Sequence, residues 1–128
     1  MIAYVDSSAL VKLVIEEAET KALRATLPRF QALVSSELAL VEVARASRRV
    51  HGDRSSRTIA DVFRAVSLLR LDRPVVDSAG MQAPTEVRTL DALHLAAAHE
   101  VTADVLIAYD QRLLAAAEAA GLSVASPR

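Results

Sequence analysis

Short apolar segments that alternate with longer helical segments are the feature of this sequence that most limits its fold. Residues 1–5 (MIAYV), 31–34 (QALV), 105–109 (VLIAY) and 122–124 (LSV) are typical of short strands. Strands that are separated by helices pair in parallel, because the chain has to cross back over the sheet. The pattern therefore predicts an α/β fold with three layers, α/β/α, around a mainly parallel sheet of four or five short strands.

In the first half of the chain, the helical segments end at residues that disfavour helices. Pro28 should end a helix over residues 18–27. After the second strand we predict a hairpin of two helices, over residues 37–50 and 55–69, with a break between them at Gly52.

In the second half, the signals before residue 89 are weaker. Residues 73–77 (RPVVD) predict a weak strand, and residues 78–88 predict a short helical turn followed by a loop. Residues 89–98 (TLDALHLAAA) are strong helix formers. An Ala-rich helix should begin at Asp110.

Length and composition exclude several classes of protein. A chain of 128 residues has the size of one domain, 1–128, with its own core. The absence of cysteine excludes disulfides, thiolate metal sites and cysteine nucleophiles. An aromatic content of 3% argues against base stacking as the main grip on nucleic acid. Because no segment has the pattern of a signal peptide or a membrane span, we expect a cytoplasmic protein.

Three aspartates stand where helices begin. Asp6 and Asp110 each follow an apolar strand, and in an open parallel sheet the carboxyl ends of the strands are the edge where ligands bind. Asp91 lies in the first turn of its helix. Each also has a structural explanation, since Asp is a favoured N-cap and a negative charge complements the helix dipole there.

A fourth acid, Glu42, is harder to explain structurally. Leu38, Val41 and the stem of Arg45 recur at helical spacing and predict an apolar stripe beside it. Glu37 lies on a different face of the same helix, and we interpret it as a structural acid of the first turn.

Together these four acids suggest one kind of chemistry. They supply oxygen ligands from four helices, and hard oxygen ligands select Mg²⁺ or Mn²⁺ over Zn²⁺. Such ions catalyse phosphoryl transfer by activating a bound water and neutralising developing charge. The acids therefore indicate a candidate catalytic metal site.

Four segments of the chain resemble successive motifs of the VapC-type PIN domains. They are VDSSAL (5–10), SSELALVEVARA (35–46), LDALHLAAA (90–98) and YDQRLLAAAEAAGLSVASP (109–127). The resemblance covers essentially the whole chain. It assigns four residues to the acidic quartet of the family and one to the hydroxyl that orders the site: Asp6, Glu42, Asp91, Asp110 and Ser8.

The resemblance also implies an activity and its partners. It implies an endoribonuclease that depends on Mg²⁺ or Mn²⁺ and serves as the toxin of a toxin–antitoxin pair. Its substrate would be structured RNA such as transfer or ribosomal RNA, and it would form homodimers and bind a small VapB-like antitoxin. The chain departs from the family at Ala108, where relatives often carry Ser or Thr. This departure puts a minor hydroxyl contact in doubt.

Basic residues and a histidine are further candidates for contacts. Arg112 matches a basic position that is frequent in the family and is a possible phosphate contact, although it is equally explained as a surface residue. Five arginines lie between Arg45 and Arg57, and GC-rich codon usage is the simpler explanation for them. Within that cluster, Arg48 and Arg49 are possible RNA contacts. His94 follows Asp91 by three residues on one helical face, and we interpret it as a packing residue.

Other enzyme classes fit less well. A phosphatase of the haloacid dehalogenase type needs a second Asp two residues after the first, where this chain has Ser8. A receiver domain needs adjacent acids and a Lys on a late strand, and both are missing. The alternative that stays open is a catalytically silent PIN domain that binds only RNA or an antitoxin.

Overall fold

A computed structural model describes all of residues 1–128, and its centre is a sheet of five parallel strands in the order β3-β2-β1-β4-β5. The strands are β1 (Ile2–Val5), β2 (Ala32–Ser36), β3 (Ser67–Leu69), β4 (Val105–Ile107) and β5 (Ser123–Ala125). The helices are α1 (Ser7–Val14), α2 (Thr20–Thr26), α3 (Glu37–His51), α4 (Ser55–Arg64), α5 (Arg73–Gln82), α6 (Thr89–Glu100) and α7 (Gln111–Ala119). Short 3₁₀ turns follow α2 at Leu27–Arg29 and α3 at Gly52–Arg54.

Helices cover both faces of the sheet, because alternate residues of its central strands point to opposite sides. Ala3 and Val5 of β1 pack with α1, α2 and α3 on one face. Tyr4, between them, packs with α6 and α7 on the other face. The predicted three-layer α/β/α fold is therefore confirmed, with five strands that are all parallel.

Two elements differ from the prediction. The helix expected over 55–69 ends at Arg64, and its last apolar residues form β3 at the sheet edge. The weak strand expected over 73–77 is instead the first half of α5. The side chain of Asp72 accepts a hydrogen bond from the N–H of Val75, and Pro74 occupies the first turn, so both residues favour a helix start.

The strand order determines where a ligand can bind. From β1 the chain moves outward through β2 and β3, then returns to the opposite side of β1 for β4 and β5. The direction therefore reverses between β1 and β4, and a crevice opens at the carboxyl ends of such strands. None of the helices has the length and apolarity needed to cross a membrane.

Candidate active site

Asp6 lies at this crevice, directly after β1. Its side chain is only 4% exposed, and Oδ1 accepts hydrogen bonds from the Ser8 hydroxyl at 2.7 Å and the Ala9 N–H at 3.1 Å. Asp6 thus caps α1, as expected for Asp at a helix start. Burial raises the pKa of Asp6 above its ordinary value, although His94, Ser8 and backbone N–H groups partly oppose the rise. An N-cap aspartate on the surface would keep its hydration, and burial would not raise its pKa in this way.

Ser8 connects the ends of the two central strands. Its hydroxyl donates to Asp6 and accepts a hydrogen bond from the N–H of Tyr109 at 2.8 Å. Tyr109 is the residue before Asp110, so one side chain holds the segment after β1 against the segment after β4. The Ser8 hydroxyl therefore forms hydrogen bonds with one strand-end acid, Asp6, and with the backbone N–H just before the other, Asp110.

Glu42 projects from α3 toward α1 and α6. Its Oε1 accepts hydrogen bonds from the Ser7 hydroxyl at 2.6 Å and from Nε2 of His94 at 2.8 Å. Burial pushes the pKa of Glu42 upward, but the hydrogen bonds from His94 and Ser7 outweigh it, and the pKa falls below its ordinary value. Glu42 is therefore held as a carboxylate, and no protein hydrogen bond reaches its Oε2.

His94 is more than the packing residue that the sequence suggested. It is 3% exposed, and Nδ1 lies 2.8 Å from the hydroxyl of the fully buried Tyr4. A carboxylate can only accept, so Nε2 carries the hydrogen toward Glu42, and Nδ1 shares a hydrogen bond with the Tyr4 hydroxyl. Burial raises the pKa of the Tyr4 phenol, which keeps it a neutral donor. Tyr4, His94 and Glu42 form one continuous hydrogen-bonded chain.

The apolar stripe predicted beside Glu42 differs from the face of α3 that is buried. Ala39, Val43 and Ser47 form the buried face of α3, whereas Val41 is 57% exposed. Glu42 adjoins that buried face because it follows Ala39 by three residues, about one turn of the helix. The predicted stripe was therefore wrong for Val41 and Arg45, which are exposed, whereas Leu38 is half-buried.

Asp91 and Asp110 complete the acidic group. Burial and the negative charge of Asp110 raise the pKa of the half-buried Asp91, whereas His94 and Arg88 partly oppose the rise. Asp110 is exposed and caps α7, with Oδ1 accepting from the N–H of Arg112 at 2.8 Å and of Leu113 at 3.4 Å. Asp91 therefore responds to the charges of Asp110 and Glu42, although the three residues come from separate elements.

The spacing of the four acids is wider than a single metal site requires. No three of the Asp, Glu and His side chains stand close enough together to hold one metal ion. Glu37, interpreted as structural, lies outside the group and faces Arg70 at 3.8 Å. Ala108 is fully buried in the core on the α6 and α7 side of the sheet.

The candidate arginines divide into two groups. Arg112 lies in the first turn of α7, beside Asp110, and lines a cavity that also includes Asp91. Arg48 and Arg49 are exposed in the last turn of α3, about 10 Å along the helix axis from Glu42 at 1.5 Å per residue. The structure thus brings Arg112 to the acids but leaves Arg48 and Arg49 on a separate surface.

Sequence reasoning missed Ser7 and Tyr4 and underrated His94. Ser7 read as an ordinary helix-start residue and Tyr4 as part of an apolar strand. The one available signal was the position of His94, three residues after Asp91 on the same helical face.

Comparison of the sequence with known families identifies its type. The model of the PIN domain family matches residues 3–119. Ribonuclease VapC46 of Mycobacterium tuberculosis is 42% identical over 126 residues, which cover 97% of this chain and 96% of that protein. Ribonuclease VapC47 of the same species is 34% identical over 130 residues, with the same coverage of both chains.

Solved structures show the same fold. VapC20 of M. tuberculosis, a toxin that cleaves the sarcin-ricin loop, superimposes with a TM-score of 0.77 at 18% identity and covers 98% of this chain and 99% of its own. A chain of a toxin–antitoxin complex from Klebsiella pneumoniae gives a TM-score of 0.72 at 17% identity, with 98% of both chains covered.

Proposed function

This chain belongs to the PIN domain family and to its VapC ribonucleases, and from that membership we propose that it is the toxin of a toxin–antitoxin pair, an endoribonuclease that depends on Mg²⁺ or Mn²⁺. The single observation that supports the proposal is that the acidic quartet lacks a Lys or Arg partner. None of the four acids has a Lys or Arg within 4 Å; the one ion-pair contact among them is that of Glu42 with His94. Buried or clustered carboxylates without a basic partner are costly unless a cation binds them.

The donor set fits Mg²⁺ or Mn²⁺ in kind. Asp6, Glu42, Asp91 and Asp110 would hold the ion through oxygen atoms, which these cations prefer. When bound, the ion would lower the pKa of a water and neutralise charge on the phosphate. The negative charges of Asp110 and Glu42 raise the pKa of Asp91, and a bound cation would offset that repulsion.

The surrounding residues would position these ligands. Ser8 holds Asp6 through Oδ1, while Ser7 and His94 hold Glu42 through Oε1. Supporting groups of this kind orient carboxylate ligands and tune metal affinity. Arg112 would bind a phosphate next to the scissile bond, since it is exposed beside Asp110 and free of ion pairs.

The test is RNA cleavage by the purified chain with Mg²⁺, with EDTA, and with Mg²⁺ restored. Glu42→Gln and Asp91→Asn should each reduce cleavage by orders of magnitude without loss of folding, because they alter metal coordination. Glu37→Gln is the matched control on α3 and should cleave like the wild type. Wild-type protein that binds RNA but leaves it intact in Mg²⁺ and in Mn²⁺ would identify the silent binding module instead.

We also propose an antitoxin as partner, and an apolar groove supports this. A cavity of about 710 Å³ lies between α1, the turn after α2, and α4 of the helical hairpin, with Leu13, Phe30 and Val62 among its lining residues. An apolar segment of a small antitoxin would cover this surface. Ala65→Glu in the groove should weaken copurification with a co-expressed VapB-like antitoxin, whereas Ala60→Glu, exposed elsewhere on α4, should not.

The proposed assembly also includes a homodimer, which the family resemblance implies. Light scattering of the purified chain should give twice the mass of 13.7 kDa. A monomer at micromolar concentration would contradict this part of the proposal.

A further inference from the structure

A second cavity begins at the acidic quartet and extends away from it. It has a volume of about 580 Å³ and lies between the loop that joins α5 to α6 and one face of α7. Asp91 is part of its lining, so the cavity is continuous with the candidate active site. Its size falls within the roughly 300–1,000 Å³ typical of sites for small ligands.

Two arginines line the cavity together with the carboxylates of Asp91 and Glu86. Arg88 precedes Asp91 by three residues, and Arg112 follows Asp110 by two, and both arginines line the cavity. Neither has an acidic group within 4 Å, so both guanidinium groups are available for a ligand. Each guanidinium can donate two parallel hydrogen bonds to the oxygens of one phosphate. Arg88 and Arg112 are therefore suited to bind a phosphodiester.

The part of the cavity farther from the acids is lined mainly by small apolar side chains. After Arg112, α7 runs away from the sheet edge and presents Ala115, Ala116 and Ala119 to the cavity at spacings of three and four residues. Val87 lines it as well. The alanine side chains are too small to fill the cavity, so a planar base can pack against their methyl groups without an aromatic side chain.

We infer that this cavity is the subsite for one nucleotide of the RNA, next to the phosphodiester that is cleaved. Its phosphate binds Arg88 and Arg112, and its base packs against the alanine face of α7. The inference rests on the proposed nuclease function, because only that function places a phosphodiester at the acidic quartet. It identifies Arg88, which the sequence did not single out, as a substrate-binding residue.

The test measures nucleotide binding without cleavage. Titration of the ¹⁵N-labelled chain with uridine or adenosine 5′-monophosphate should shift the amide signals of Val87, Ala115 and Ala119. Inorganic phosphate, the comparison ligand, should bind at least tenfold more weakly, because it lacks the base. Phosphate that binds as tightly as the nucleotides, or nucleotide shifts that centre on another surface, would overturn the inference.

Two variants on α7 sharpen the result. Ala119→Phe fills the cavity from an exposed position and should raise the Kd for the nucleotides at least tenfold. Glu118→Phe adds the same ring to the same helix outside the cavity lining and should leave the Kd within about twofold. Equal Kd values for Ala119→Phe and wild type would refute the subsite. Nucleotide binding that depends on Ala119 in a chain that cuts no RNA would refute only the nuclease proposal.

Discussion

Replacement of His94 by Phe tests whether the hydrogen-bonded chain from Tyr4 to Glu42 serves the site or only the core. Phe keeps a ring in a position that is 3% exposed but removes both nitrogens. The buried hydroxyl of Tyr4 then loses its bond to the ring, which costs about 1–3 kcal/mol, less what the neighbouring Ser35 and Ser36 hydroxyls replace. Glu42 is 30% exposed, so water replaces most of its lost hydrogen bond. We expect the free energy of unfolding to fall by about 2–4 kcal/mol.

Part of this loss should be recoverable. Adding Tyr4→Phe to His94→Phe removes the hydroxyl that has lost its bond to the ring. The double variant should therefore lose about 1–2 kcal/mol less unfolding free energy than the two single variants lose in sum. Urea unfolding of the metal-free proteins measures the four free energies. His99→Phe, at an exposed position of the same helix, is the control and should change little.

Metal affinity distinguishes a positioning role from packing alone. Without the donor at Nε2, Glu42 loses one of the two groups that orient it, and Mn²⁺ should bind about 10–100-fold more weakly to His94→Phe. Tyr4→Phe, which leaves the His94 to Glu42 contact intact, should affect Mn²⁺ binding far less. If His94→Phe loses stability but binds Mn²⁺ like the wild type, the histidine only packs, and our reasoning about the site is wrong.

Other predictions concern charge. Asp6→Asn should raise the melting temperature in EDTA by several degrees, since burial disfavours the charged carboxylate while Asn caps as well, but should reduce the gain from Mg²⁺ and abolish cleavage. A lower melting temperature in EDTA with unchanged cleavage would show that Asp6 only caps. The raised pKa of folded Asp6 means that the metal-free protein binds this proton more tightly than the unfolded chain does. Protonation of Asp6 should therefore raise the free energy of unfolding as the pH falls from the folded pKa toward the ordinary value of 3.8. Melts of Asp6→Asn over the same pH range should lack this gain. Replacing the exposed arginines of the hairpin should flatten the salt dependence of RNA binding, and an unchanged slope would exclude them from the RNA surface; the variants are Arg48→Gln, Arg49→Gln and Arg54→Gln.

Local signals in the sequence determined much of the architecture. The apolar run before Asp6 and the strong helix over 89–98 were predicted correctly, because strand and helix signals there are short-range and point the same way. Where local signals conflicted, the prediction failed. An apolar segment such as 66–69 is compatible with a helix end or an edge strand, and only its pairing with β2 decides for the strand.

The tertiary structure alone decided how the candidate site is held together. The residues that fix Glu42 are far apart in sequence, since Ser7 precedes it by 35 positions and His94 follows it by 52. No local pattern encodes such a contact, because it arises from the order of strands that brings α1, α3 and α6 to one edge of the sheet. The sequence by itself determined which residues carry the charges. Packing determined which oxygen of Glu42 is anchored, and it did so because a buried carboxylate has to find its donors wherever the fold supplies them.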